Sequence, residues 1–497
     1  VDYKGGLGFS SFAGIPHLVG MATDLDHTNA TRIVASLSAE MRYRERMLAT
    51  AHVSSIAELD PAIELARLVV VIDEYRALIA AEPELAHVLT DIVARGRALG
   101  IHVIVATQRL GGSVADAIVA NCTIRICFPV AEQHEMVSVV GHVDPSLVPQ
   151  QVGLALIATP SSPPQLCHAT RVTPELLNQL SGVWQPHILE NWSARTPWCE
   201  PLPTRIDLDT AGSPPPGHIL LGLADLPEEQ MQSWQTFNIS VGAAVLVTGG
   251  AHSGKTTGAR LLARQTGAVL ITTAEQLWDH ITGVNALGSC VIDNWHVLLD
   301  ELGPEYSEEI VNISARWLHS LRSQGFFVAI TSDEHARGLS KLSQQWTLTI
   351  RLSSAEQPGL AEISGRVVQL AWTDSVMHTP PATTSEIIWD TSHHYVVISA
   401  RPQHFIQRVS SRMALPCHQV SRQLQILGPG LWVADMFQWS QEYSLLKQLR
   451  EYATIIIDGY TPSQLRPLQL SSQPVPFTAQ GSVVLISPEG KISRATL

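Results

Sequence analysis

The octapeptide GGAHSGKT at 249–256 constrains this chain more than any other stretch, because G-x-x-x-x-G-K-[ST] works where a strand runs through a tight loop into a helix. The flanks supply that context. An apolar run, AAVLVT, leads in, and TTGARLLARQ leads out with Leu261, Leu262 and the alanines at helical spacing. Gly249 and Gly254 let the backbone curl so that the amides of His252, Ser253, Gly254, Lys255, Thr256 and Thr257 face phosphate oxygens, with Gly250 and Ala251 completing the loop. Lys255 neutralises the β and γ phosphates of ATP, and the Thr256 hydroxyl ligates Mg2+.

A recurring pattern extends this reading to the rest of the chain. A β-branched strand ending in Asp occurs three times, as LVVVIDEYRALI at 68–79, SCVIDNWHVLL at 289–299 and ATIIIDGYTPSQL at 453–465. Each is followed some 30 residues later by a second apolar strand, IHVIVATQR, FFVAITSDE and SVVLISPEG. In the first two copies a helical stretch intervenes, and a further strand, TIRICF or TLTIRL, follows. Short continuous apolar strands alternating with helices predict an α/β fold of tandem P-loop NTPase (RecA-like) domains, their parallel sheets covered by helices. The alternative is three unrelated buried strands.

The strand ends carry the chemistry. Asp293 is placed to support Mg2+, but Asn294 stands where a hydrolytic site needs a carboxylate to take a proton from water. The middle site is therefore expected to bind ATP and to hydrolyse it slowly or not at all. In the first copy the pair is complete: Asp73 supports Mg2+ and Glu74 is the general base. Gln108 puts a neutral amide at the tip of the neighbouring strand to sense the γ-phosphate or position water. No Gly-rich loop precedes this copy, and the opening VDYKGG reads as the second strand of a domain whose loop lies upstream. Arg97, Arg109, Arg125 and the basic stretch with Arg42, Arg44 and Arg46 are open candidates for a finger arginine. The third copy has Asp458 followed by Gly459, and its VVISARPQHF lacks Gly-Lys-Ser/Thr, which predicts a shell used for contacts.

At about 150 residues per domain, 497 residues hold about three. The Pro-rich run at 192–216, expected to be a linker running over the surface, and the polar break at 377–386 divide them into 1–195, 196–386 and 387–497. Acidic residues outnumber basic ones by 45 to 32, for a net charge of −13, which argues against a protein that grips DNA through its phosphates. Six cysteines without a CxxC pair read as reduced thiols, and no apolar run approaches the roughly 18 residues of a membrane helix. A first residue other than Met suggests a fragment.

These residues resemble the FtsK/SpoIIIE-type ATPases, and within them the EccC family of type VII (ESX) secretion. The resemblance rests on VDYKGG, VVVIDEYRALI, RGRALGIHVIVATQRLGGSVADAIVANCTIRICF and the run PLPTRIDLDTAG…ILLGLADLPEEQ before the middle loop. It implies an ATP-driven motor subunit exporting small helical proteins, a hydrolytic first domain, and degenerate later ones. It also implies a cytoplasmic body attached to the membrane by a missing N-terminal anchor, partner subunits of the secretion complex, and a homo-oligomer, hexameric in the full assembly. Asp73, Glu74 and Gln108 match the first domain's functional residues, and 249–256 the second domain's loop. A DNA translocase and a non-hydrolytic, nucleotide-gated scaffold are the alternatives.

Overall fold

The computed structural model describes residues 1–2, 9–12, 15, 17–22, 27–81, 83–108, 120–184, 196–283, 288–353, 357–374, 385–410, 416–420, 428–470, 475–479 and 481–497. They form two compact units, Val1–Pro201 with Asp225–Ser233, and Leu202–Ala224 with Trp234–Leu497. Most of VDYKGG, Arg109 and most of the break at 377–386 lie outside the described residues.

In the first unit, α1 (His27–Ala51), β1 (Leu68–Ile72), α2 (Tyr75–Ala81), α3 (Pro83–Leu99) and β2 (Ile101–Val105) share one core. β1 and β2 are parallel, with Ile72 opposite Val105. The helices bury Leu37, Met41, Leu78, Leu85, Leu89 and Ile92 with Ile72 and Ile101, the helical and strand periodicities meeting in one apolar layer. A second sheet follows: β3 (Arg125–Cys127), β4 (Leu154–Thr159) and β5 (Ser162–His168), all antiparallel, with α4 (Gln133–Val140) packed on Leu156 and α5 (Pro174–Trp184) after it. TIRICF therefore does not continue the parallel sheet, as its place in the repeat suggested. Its partner is β4, an antiparallel strand that comes later in the chain, after α4.

The second unit begins with β6 (His218–Leu226) and β7 (Met231–Asn238), apart from their joining stretch Asp225–Ser233, then β8 (Ala243–Thr248), α6 (Lys255–Thr266), β9 (Val269–Ile271), α7 (Ala274–Thr282) and β10 (Cys290–Ile292). It continues with α8 (Trp295–Ser323), β11 (Phe327–Ser332), β12 (Leu348–Leu352), β13 (Leu360–Ile363) and β14 (Arg366–Leu370). The nine strands lie in the order β7-β6-β14-β13-β12-β8-β11-β10-β9, of which β12, β8, β11, β10 and β9 are parallel. β8, β10 and β11 are buried throughout, which is why they read as continuous apolar runs rather than alternating ones. Leu246 and Ile292 face α7 and α8 with Trp278, Trp295 and Leu318, whereas Val245 and Val291 face α6 with Leu261 and Leu262. The Pro-rich run is not a free connector over its described length. Asp207 bridges Trp372, Leu208 N donates to Trp372 O at 2.9 Å, and Arg205 lies over the Trp372 ring at 4.5 Å.

The same unit holds a seven-stranded sheet. Its elements are β15 (Ser385–Glu386), β16 (His394–Ser399), α9 (Pro402–Ser410), β17 (Cys417–Gln419), β18 (Gly430–Ala434), α10 (Met436–Gln441), α11 (Tyr443–Leu449), β19 (Thr454–Asp458), α12 (Pro462–Leu465), β20 (Ser482–Ile486) and β21 (Ile492–Thr496). The order is β15-β21-β20-β19-β16-β18-β17. Two expectations change here. Ser385–Glu386 pairs with β21, so these last residues of the polar break belong to this sheet. The third copy of the repeat is also not equivalent to the others: β19 pairs antiparallel with its follow-on strand β20, whereas β1–β2 and β10–β11 are parallel. β19 instead lies directly beside β16, while in the middle sheet β11 separates β10 from β8.

Candidate nucleotide site

The loop at 249–254 joins β8 to α6 and turns by conformations most side chains avoid. Gly254 has φ 104°, and a Cβ there would stand 2.8 Å from Gly359 N. On Gly249 a Cβ would meet Ser253 Oγ at 2.5 Å and Leu352 Cβ at 2.8 Å. Both glycines are thus required by close approach. Gly254 is also the N-cap of α6 and offers no side chain to its first amides, which leaves donors and the positive helix end for an anion.

Lys255 is buried at the start of α6. Its ammonium donates to Gly249 O and Gly250 O, both at 2.7 Å, and to Asp333 Oδ1 at 2.8 Å. Asp333 follows the end of β11, and the Lys255 hydrogen bond, aided by the charges of Lys255 and His296, holds its carboxyl below the usual carboxylate range. His296 Nε2 lies 3.3 Å from Asp333 Oδ2. Asp293, just past β10, is buried and accepts from Thr331 Oγ1 at 2.6 Å, while the same hydroxyl accepts from Asn294 N at 2.8 Å. Asn294 Nδ2 in turn reaches Thr256 Oγ1 at 3.4 Å. Loop, Thr256, Asp293 and Asn294 therefore meet at one end of the sheet. A hydroxyl and a carboxylate are the hard oxygen donors that suit Mg2+.

In the first unit the backbone repeats this geometry without the loop. Glu74 has φ 55°, as does Asn294, and its backbone amide is held locally: Glu74 N donates to Asp73 Oδ1 at 2.9 Å. The register that sets Ile72 opposite Val105 and Ile292 opposite Ile330 makes Gln108 the equivalent of Asp333. Gln108 is exposed. Among the finger candidates Arg44 is buried, bound to Glu40 at 2.7 Å and to Leu99 O at 3.0 Å, and so is structural. Arg125 donates to Cys122 O at 3.3 Å, while Arg42, Arg46 and Arg97 are exposed. In the third sheet two residues, Ala400 and Arg401, separate β16 from α9, and Ser399 Oγ donates to Asp458 Oδ2 at 2.6 Å. Sequence reasoning gave no role to Asp333, His296 or Thr331. The signal was present, since ATQR and TSDE occupy the same place after their strands.

No protein-family model matches the chain. Curated proteins do: the type VII secretion system protein EssC of Staphylococcus aureus is 32% identical over 142 residues, 27% of this chain and 10% of that protein. The ESX secretion system protein YukB of Bacillus subtilis is 30% identical over 141 residues, 27% of this chain and 9% of its own length. Over about a quarter of its length the chain is related to the type VII secretion proteins EssC and YukB. The match spans about a tenth of the length of these relatives. Among solved structures, the cytoplasmic domain of the Thermomonospora curvata type VII secretion ATPase EccC superimposes with a TM-score of 0.63 over 94% of this chain and 79% of that one, at 16% identity. ATPases 2 and 3 of Geobacillus thermodenitrificans EssC give 0.52 over 75% and 84% at 17% identity. The corresponding Thermomonospora curvata EccC fragment, in complex with a signal sequence peptide, gives 0.52 over 75% and 82% at 15% identity. The fold shared with EccC and EssC is that of tandem P-loop NTPase domains. Among the described residues no helix is long and apolar enough to cross a membrane.

Proposed function

We propose that the chain is part of an ATP-driven motor subunit of type VII secretion, in which the first unit supplies hydrolytic residues and the middle domain binds nucleotide with little turnover. The observation that carries this reading is the loop at 249–254 meeting Thr256, Asp293 and Asn294 at one sheet end, with an amide at the base position. Thr256 and Asp293 would hold Mg2+, which neutralises phosphate charge when bound. Lys255 and the first amides of α6 bind the phosphates. In the first unit Glu74 takes the proton from water, Asp73 supports Mg2+ and Gln108 orients the γ-phosphate or the water.

The relatives support export as the task, and the signal sequence peptide bound to EccC supports a secreted protein as cargo, here a small helical one. Other secretion subunits, self-association and membrane attachment complete the proposal. The test is thermal unfolding with and without Mg-ATP. Wild type should gain stability, about 2.7 kcal/mol at a hundredfold excess over Kd, and Lys255→Ala should gain little. An equal shift in both proteins refutes the site.

A further inference from the structure

The two strand-end pairs differ by an exchange. The first unit carries an acid at 74 and an amide at 108, while the middle domain carries an amide at 294 and an acid at 333, in the same register. The missing base is thus accompanied by a carboxylate at the neighbouring tip, and that carboxylate is engaged. Lys255 has three N–H groups and three acceptors, and Asp333 is the one acceptor that belongs to a side chain.

We propose that Asp333 makes the middle site selective for a nucleoside diphosphate over a triphosphate. This inference rests on the nucleotide reading above. A triphosphate presents its terminal group to the loop lysine. Here it meets three obstacles: Lys255 is already bound to Asp333, the carboxylate repels a second anion, and an ionised carboxylate has no proton to donate where Gln108 carries an amide. Asp333 is also steadied on its other oxygen by His296 Nε2 at 3.3 Å, while Asp333 N lies 3.4 Å from His296 Nδ1. A diphosphate also shares Lys255, but it brings no γ-phosphate beside the carboxylate, and its β-phosphate is cradled by loop amides and the helix end. The same ion pair makes Asp333 a poor substitute base, since the lysine favours its ionised form and so weakens its hold on a proton.

Calorimetric titration with Mg-ADP and with the slowly hydrolysed Mg-ATPγS tests this on wild type, Asp333→Asn, Asp333→Gln and Lys255→Ala. Wild type should bind ADP about tenfold or more tightly than ATPγS, a screened fraction of the like-charge repulsion. Both Asp333 variants should bind ATPγS about tenfold more tightly while ADP affinity moves by less than about threefold. Wild type preferring the triphosphate, or both nucleotides moving together in the variants, overturns the inference while leaving the nucleotide site intact. Binding of neither nucleotide to wild type, with Lys255→Ala alike, removes the site reading and this inference with it.

Discussion

Glu74 and Asn294 sit at φ 55° at the end of equivalent strands, in a left-handed conformation that asparagine tolerates and longer side chains do not favour. A glutamate kept in that conformation is strained, and strain of this kind gathers where chemistry needs a side chain aimed off the strand. Three variants have expected outcomes at this scale. Asn294→Glu should lower stability by about 1 kcal/mol in urea unfolding and still release phosphate no faster than wild type, because Asp333 continues to hold Lys255; vigorous turnover would contradict it. In the full-length protein Glu74→Gln should reduce phosphate release by about a hundredfold, and a wild-type rate would remove Glu74 as the base. Gly254→Ala should destabilise the protein by about 1–3 kcal/mol, since φ 104° and the nearby Gly359 amide leave no room for a Cβ; thermal unfolding measures it.

Among elements, α7 and β21 are tied by the buried ion pair of Asp279 with Arg494, and Glu275 accepts from Ala479 N at 2.6 Å. Burial pushes the Asp279 carboxyl up, with Arg494 opposing it. A carboxyl with a raised folded-state pKa binds its proton more tightly in the folded chain, so its contribution is fullest at acid pH and falls as pH climbs past the unfolded value. Arg494→Ala removes the opposing charge and should cost about 3 kcal/mol at pH 7, with a smaller loss near pH 4. Urea unfolding at both values checks this, and an equal loss would refute it. The parallel core strands were legible because burial on both faces leaves an unbroken apolar run, as in AAVLVT and FFVAITS. Which strand pairs with which was not, because SCVID and TIIID read alike while their neighbours are chosen by distant segments. The bridge of Asp207 to Trp372 was hidden for the same reason. The loop residues were legible through their glycines, but Asp333 looked like any polar residue after a strand until Lys255 was seen to reach it.

Across residues 1–497, one G-x-x-x-x-G-K-[ST] match predicts one nucleotide bound by this stretch of chain, and calorimetric stoichiometry near two for it would show a second site in the first unit or the third sheet. The third sheet is nevertheless in mechanical reach of that nucleotide. α8 starts one residue after Asn294, is bent at Gly303 and Pro304, and carries Glu305, whose carboxylate accepts from Ser463 N and Ser463 Oγ at 2.7 Å each. The eight helical residues before that bend, Trp295–Leu302, make a lever of about 12 Å. A tilt of about 5° at the nucleotide end therefore becomes about 1 Å of travel at the joint, enough, if passed on to Glu305, to break hydrogen bonds of that length. Either the joint at Gly303 absorbs the swing or the grip on Ser463 is released, so this joint decides whether the third sheet moves with the nucleotide or stays still.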